Sequence, residues 1–182
     1  MTIGAEKIRL DRRPNMVINR DYVPILEKRG LLDFERLYHS RDGAVVKQIR
    51  ERSVTRMRID HEGGNSVFFL KRHVAACPGF WAVVGAWFSG RSPSPGMAEF
   101  ENICEFRQNS LPTVTPVAAG QRSINFFKYE SFLITEDIAP YIQLEKLIQK
   151  HPERLVGPHG LQRKQRIITA IARLASTMHD KG

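Results

Sequence analysis

Lys71 closes an apolar run, Val67 to His73 (VFFLKRH), and its ammonium is one of the few groups in the chain whose setting could do chemistry. Such a lysine can lay its stem on a sheet and keep its head in water, or it can be partly desolvated and presented to an anion such as phosphate. Glu99, on the next amphipathic segment, is a carboxylate that could keep this ammonium in place and charged; alone it reads as a solvated helix residue. Arg50, Arg52, Arg56 and Arg58 flank a turn that also holds Ser53. They read as contacts for phosphate or another polyanion, or as a charged strand edge that resists aggregation. The histidines show no ligand spacing, and Cys77 and Cys104 form no CxxC pair, so no metal site is expected. Both cysteines read as small apolar residues of a reduced compartment.

These groups need elements to position them. Residues 21–38 read as two short helices broken at Gly30, and 44–60 as a hairpin turning near Glu51 to Ser53. After a turn at 61–66, the Lys71 strand makes three antiparallel strands. Met97 to Asn109 has apolar residues at 97, 100, 103 and 106, which is helical spacing. Leu111 to Gly120, interrupted by prolines, is expected to be an edge or irregular strand. Two more strands are expected at Ser123–Tyr129 and Ser131–Glu136, then a short helix over 142–149 and a long amphipathic one over 161–179. The fold class expected is α+β: an antiparallel sheet with one inserted helix, followed by a helical part.

Composition narrows the partners. The chain has 182 residues and a formal charge of +9, with +5 in residues 1–60, none in 61–120 and +4 in 121–182. A split excess of this kind favours an anionic partner but lacks the dense basic run or stacking platform of a nucleic-acid binder, so nucleic acid is disfavoured. No signal-peptide stretch is visible at the start. The run Phe80 to Phe88 (FWAVVGAWF) is shorter than the roughly 20 apolar residues needed to span a bilayer. It reads either as a buried helix or as a membrane-facing patch through Trp81, Trp87 and Phe88, with Arg91 nearby.

The order of elements resembles the amino-terminal lobe of a protein-kinase-like fold. The segments FFLKRH, AEFENICEF, SFLITEDIAPYIQLEKL and LASTMHDKG together resemble the lipopolysaccharide kinase (Kdo/WaaP) family, from about Gly43 to Gly182. The resemblance implies that Lys71 pairs with nucleotide phosphates and Glu99 with Lys71, and that the carbonyl of Glu136 and the N–H of Ile138 meet the adenine. It implies ATP and magnesium as cofactors and a lipopolysaccharide inner-core sugar, heptose or Kdo, as acceptor. The implied place is the cytoplasmic side of the inner membrane, in peripheral contact. The phosphate loop departs from a glycine-rich pattern, since Arg50-Glu51-Arg52-Ser53 stands there. The family's catalytic loop, with its acceptor-orienting and metal-binding Asp residues, would follow Gly182. The chain is therefore expected to bind nucleotide weakly and to lack catalytic residues of its own. The expected layout is a helical extension over 1–40, a nucleotide-binding lobe and hinge over 41–138, and the start of a helical lobe over 139–182. Two other readings stay open: a non-catalytic kinase-like module on an anionic membrane surface or nucleic acid, and a small-molecule phosphotransferase of the aminoglycoside-kinase type.

Overall fold

In a computed structural model, the structure describes residues 8–61, 63–76, 79, 81, 84, 85, 88, 90, 92–125 and 128–181. Contacts gather the chain into two units, one ending at Asp137 and the other beginning at Ile138. The first is built on seven strands: β1 (Leu10–Arg13), β2 (Met16–Asn19), β3 (Ala44–Ile49), β4 (Arg52–His61), β5 (Gly64–Ala76), β6 (Pro116–Asn125) and β7 (Lys128–Glu136). They pair antiparallel in the order β1-β2-β6-β7-β5-β4-β3.

The sheet is covered on both faces, and side-chain alternation decides what meets each. In β4, Thr55, Met57 and Ile59 are buried while Arg56, Arg58 and Asp60 are exposed. The buried set joins Ile18, Phe68, Leu70, Phe132 and Ile134 beneath two short helices, α1 (Val23–Lys28) and α2 (Phe34–His39). Asp33 starts α2 by accepting the Arg36 N–H at 3.0 Å, as a helix N-cap does. Arg72 then ties down the chain after α2, donating to the carbonyls of Tyr38 (2.7 Å) and Ser40 and to the Thr55 hydroxyl (2.8 Å). Arg122 clamps the same layer, pairing with Glu35 and Glu130 and lying 5.5 Å over the Phe34 ring.

The opposite face receives α3 (Pro95–Gln108), whose Phe100 and Ile103 pack on Val17, Ala119 and Leu133. Small residues let the helix approach. At Gly96 an added Cβ would lie 2.7 Å from the Phe132 carbonyl oxygen, and the Gly96 N–H donates to the Ser131 hydroxyl at 3.1 Å.

Three expectations are corrected. Residues 10–19 form the β1–β2 hairpin, so the amino-terminal part is a strand pair plus helices and belongs to the sheet. The edge alternative for the proline-interrupted segment falls, since β6 lies between β2 and β7, while the irregular alternative holds in the register shift between Pro116 and Ala118. Pro116 takes its first position, and the fully buried Val117, Ala118 and Ala119 follow. The two strands expected after Ser123 are the end of β6 and a single longer β7. In the second unit, α4 (Leu144–Lys150) and α5 (Gly157–Lys181) follow the expected pattern, and α5 leaves Leu161, Ile168, Ile171 and Met178 exposed.

Because Gly96 abuts β7 backbone, Gly96→Ala must push α3 away from the sheet. Urea unfolding is expected to show a loss of about 1–3 kcal/mol, the usual range for overpacking; an unchanged midpoint would show that α3 is not held by this contact.

Candidate functional site

Lys71 and His73 lie two residues apart on β5 and so share the α3 face of the sheet. Cross-strand register places Val54 and Leu133 beside Lys71, and Arg52 and Ser131 beside His73. Glu99, in the second turn of α3, reaches down to this face. The Lys71 ammonium donates to Glu99 Oε1 at 2.5 Å, with both side chains about one-third exposed. This is a short, charge-assisted contact that solvent still reaches, as a group meant to meet an anion requires.

Next to the pair is an open cleft of 310 Å³ lined by Glu51, Arg52, His73, Val74, Pro95 and Glu99. Its upper wall is the β3–β4 hairpin, held to β5 by the Val74 N–H donating to the Glu51 carbonyl at 2.7 Å. Arg50, at the turn, takes a left-handed conformation (φ +47°) where glycine would be at ease. Of the expected phosphate contacts, Arg52 is brought into the cleft and Arg50 stands at the exposed turn. Ser53 pairs with Arg72 and so belongs to the opposite face of the strand.

His73 is a member of this site that spacing arguments missed. It is 5% exposed, and its Nε2 has no hydrogen-bond partner. Burial, reinforced by Arg52 and Lys71 and opposed by Glu99, holds its imidazole below the ordinary value. Its neutral form leaves Glu99 to Lys71. The sequence signal was alternation: a residue two beyond Lys71 must share its face.

The other expected residues are dispersed. Glu136 ends β7 opposite Phe68, on the face covered by α1 and α2. The Tyr22 phenol is raised well above its usual range, first by burial, then by hydrogen bonding to the Glu136 carboxylate and by that carboxylate's charge. The Glu136 N–H donates to the Thr115 carbonyl (3.0 Å) and the Asp137 N–H to the Val67 carbonyl (2.9 Å), so the chain leaves the sheet braced on both sides. Asp137 also pairs with Arg56 at 3.8 Å. Ile138 opens the second unit, where its carbonyl accepts the Tyr141 N–H at 2.9 Å. Trp81 and Phe88 are each 81% exposed, which corrects the buried-helix reading for these two; Trp87 lies outside the described residues, as do Cys77 and Arg91. Among the described residues no three His, Cys, Asp or Glu side chains gather to hold a metal. Lys71 and Arg52 put two cationic groups at this site, and the described residues supply no cluster of metal-ligating side chains beside them.

Residues 90–182 match the model of the lipopolysaccharide kinase (Kdo/WaaP) family, just over half of the chain. The chain belongs to this family. Glu99, Glu136 and Ile138 fall inside the match, and Lys71 precedes it. The chain is 28% identical over 159 residues to lipopolysaccharide core heptose(I) kinase WaaP of Pseudomonas aeruginosa, covering 82% of this chain and 56% of that protein. It is 26% identical over 142 residues to the WaaP of Escherichia coli K12, covering 78% and 50%. A solved structure of WaaP in complex with acyl carrier protein matches with a TM-score of 0.52 and 25% identity, over 81% of this chain and 54% of that one. The kinase-like α+β fold expected from the segments is therefore the fold observed. The chain spans about half the length of the curated relatives it matches.

The lowered His73 pKa has a sign. On acidification the unfolded chain takes up this proton first, near its ordinary value of about 6.5, while the folded chain resists. Stability from this group is therefore full above about pH 6.5 and drains as pH falls below it. Between about pH 7.5 and 5.5 the urea midpoint should fall more in the parent than in His73→Gln; equal falls would remove His73 as the cause.

Proposed function

We propose that this chain supplies the nucleotide-binding part of an ATP-dependent kinase of the lipopolysaccharide inner core, which transfers the γ-phosphate to a heptose or Kdo hydroxyl. The observation that carries this reading is the Lys71–Glu99 ion pair, set on the sheet face beside the hairpin cleft in a chain of the lipopolysaccharide kinase family. In this reading Lys71 binds the α- and β-phosphates, Glu99 holds its ammonium in place, and Arg52 adds positive charge at the cleft wall. The adenine is met by backbone groups, the Glu136 carbonyl and the Ile138 N–H. Residues 41–138 form the nucleotide-binding lobe and hinge, residues 1–40 its amino-terminal extension, and residues 139–182 begin a helical lobe.

When bound, magnesium would neutralise charge on the transferred group. The described side chains provide no set of ligands for it, and the proposed role of this chain ends at binding and orienting the nucleotide. The 182 residues alone are expected to bind ATP weakly. The competing readings are a non-catalytic kinase-like module on an anionic membrane surface or nucleic acid, and an aminoglycoside-type phosphotransferase; membership of the lipopolysaccharide kinase family favours the proposed reading over both.

The test is titration with a fluorescent ATP analogue. Lys71→Ala is expected to weaken binding about tenfold or more, the loss of a charge-assisted contact, and Glu99→Gln to weaken it less. Equal affinity in the parent and Lys71→Ala would reject the reading.

Contact with the inner membrane, at its cytoplasmic side, is proposed from a separate observation. No described helix is long and apolar enough to cross a bilayer. Trp81 and Phe88 nevertheless present large aromatic surfaces, and the chain carries +9. Aromatic side chains at headgroup depth suit a membrane interface, and the net positive charge, which lies outside residues 61–120, suits an anionic leaflet. Co-sedimentation with vesicles containing anionic lipid is expected to fall several-fold in Trp81→Ala/Phe88→Ala. Undiminished binding by that variant would place the membrane contact elsewhere or nowhere.

A further inference from the structure

A second cleft, of 340 Å³, opens at the end of the sheet where β2 stops, β6 begins and β7 leaves for the hinge. Arg9, Asn19, Asp21, Tyr22, Arg107 and Thr115 line it. It is separate from the Lys71 site. Arg107 is in the last turn of α3, eight residues beyond Glu99 and so about 12 Å along the helix axis.

The polar groups of this cleft are unevenly satisfied. The Asn19 side chain is committed to backbone: its Nδ2 donates to the Pro116 carbonyl at 3.2 Å, and its Oδ1 accepts the Asp21 N–H at 3.3 Å. Asp21 is paired with Arg9 at 3.1 Å. Tyr22 stands beside Glu136. Arg107 also lines the cleft; its Nε is closed off without an acceptor, so only the outer guanidinium N–H groups can face the opening. A guanidinium is always charged and offers five donors in a fixed fork, so its outer N–H groups at the wall of a polar cleft suit an oxyanion. The Thr115 hydroxyl and the N–H groups of Arg9 not used on Asp21 are further donors on the same walls. They come from three elements: the end of α3, the approach to β6, and the segment before β1. Donors supplied by three separate elements suit an anion with several oxygens, as a phosphate group is.

We propose that this cleft is a second anion site that binds a phosphate group, free or as a small monoester, with Arg107 as its anchor and Arg9 and Thr115 closing on it. The site sits against the hinge, since Thr115 accepts the Glu136 N–H at 3.0 Å. It does not depend on the nucleotide reading.

The experiment is an amide NMR titration of the 182-residue protein carrying Lys71→Ala, so that phosphate at the first site does not contribute. Inorganic phosphate, glycerol 3-phosphate and acetate are the probes. Saturable shifts at the amides of Tyr22, Arg107 and Thr115 with phosphate in the millimolar range are expected. Arg107→Gln should weaken that binding about tenfold or more, and Arg107→Lys should restore part of it. Tighter binding of the monoester would identify an ester as the source, and equal or weaker binding would identify free phosphate. Acetate binding as well as phosphate would overturn the phosphate assignment. Absence of shifts at these amides would overturn the site, as would full affinity in folded Arg107→Gln. If Arg107→Gln does not fold, the map of shifted amides in the Arg107-containing protein decides alone. Loss of nucleotide binding in Lys71→Ala with the phosphate shifts intact would separate the two sites.

Discussion

Lys71 and Glu99 are 28 residues apart in the chain, and they meet only because α3 lies flat on the sheet. That close approach is a packing constraint before it is an electrostatic one. Gly96 touches β7 backbone where no side chain would fit, its N–H is taken by Ser131, and Ala119 leaves room for Phe100 and Ile103. Once the helix is seated, the ion pair needs little further ordering, because both stems rest on rigid elements. A partly exposed pair of this kind contributes modestly to stability. Its consequence is positional: the ammonium is held at the mouth of the cleft under the hairpin.

The other face of the sheet makes this possible. A lone kinase-like lobe would expose the back of β4, β5 and β7 to water. Here the β1–β2 hairpin extends the sheet, and α1 and α2 cover its back with Leu26, Phe34, Leu37 and Tyr38. Arg72 and Arg122 fasten this cover through carbonyls, carboxylates and an aromatic ring. With strands buried on both sides, Lys71 cannot shift without disturbing two cores. Glu136 is braced in the same way, since it turns its side chain toward Tyr22 and leaves its backbone at the end of the sheet.

Electrostatics around the pair follow from burial. Lys71, Arg52 and Glu99 all face His73. A protonated imidazole there would compete with Lys71 for Glu99 and add to the repulsion from Arg52. Burial lowers the ring's affinity for a proton and so opposes that competition. A cleft whose walls carry Arg52 and the Lys71–Glu99 pair can receive an anionic ligand, and membership of the lipopolysaccharide kinase family gives that ligand a context. The second cleft follows the same logic at the far end of α3, with a guanidinium in place of an ammonium.

Much of this was legible in the residues. Lys71 at the end of an apolar run and Glu99 on a helix with apolar residues at 97, 100, 103 and 106 depend on local periodicity, which short-range sterics and burial impose on any strand or helix. The family segments, the hairpin at Arg50–Ser53 and the long final helix were readable for the same reason. Neighbours in space were not. The proline-rich start of β6 looked like an edge, but its place between β2 and β7 depends on pairing with residues about a hundred positions earlier. The β1–β2 hairpin was hidden in a charged stretch whose apolar side is only Met16 to Ile18. His73, Arg107 and Tyr22 acquired their roles from burial and from partners on other strands and helices. Sequence alone determined which groups could carry charge and which face of its own element each would occupy. Tertiary structure decided which of those faces meet, because only packing removes water from between residues far apart in the chain.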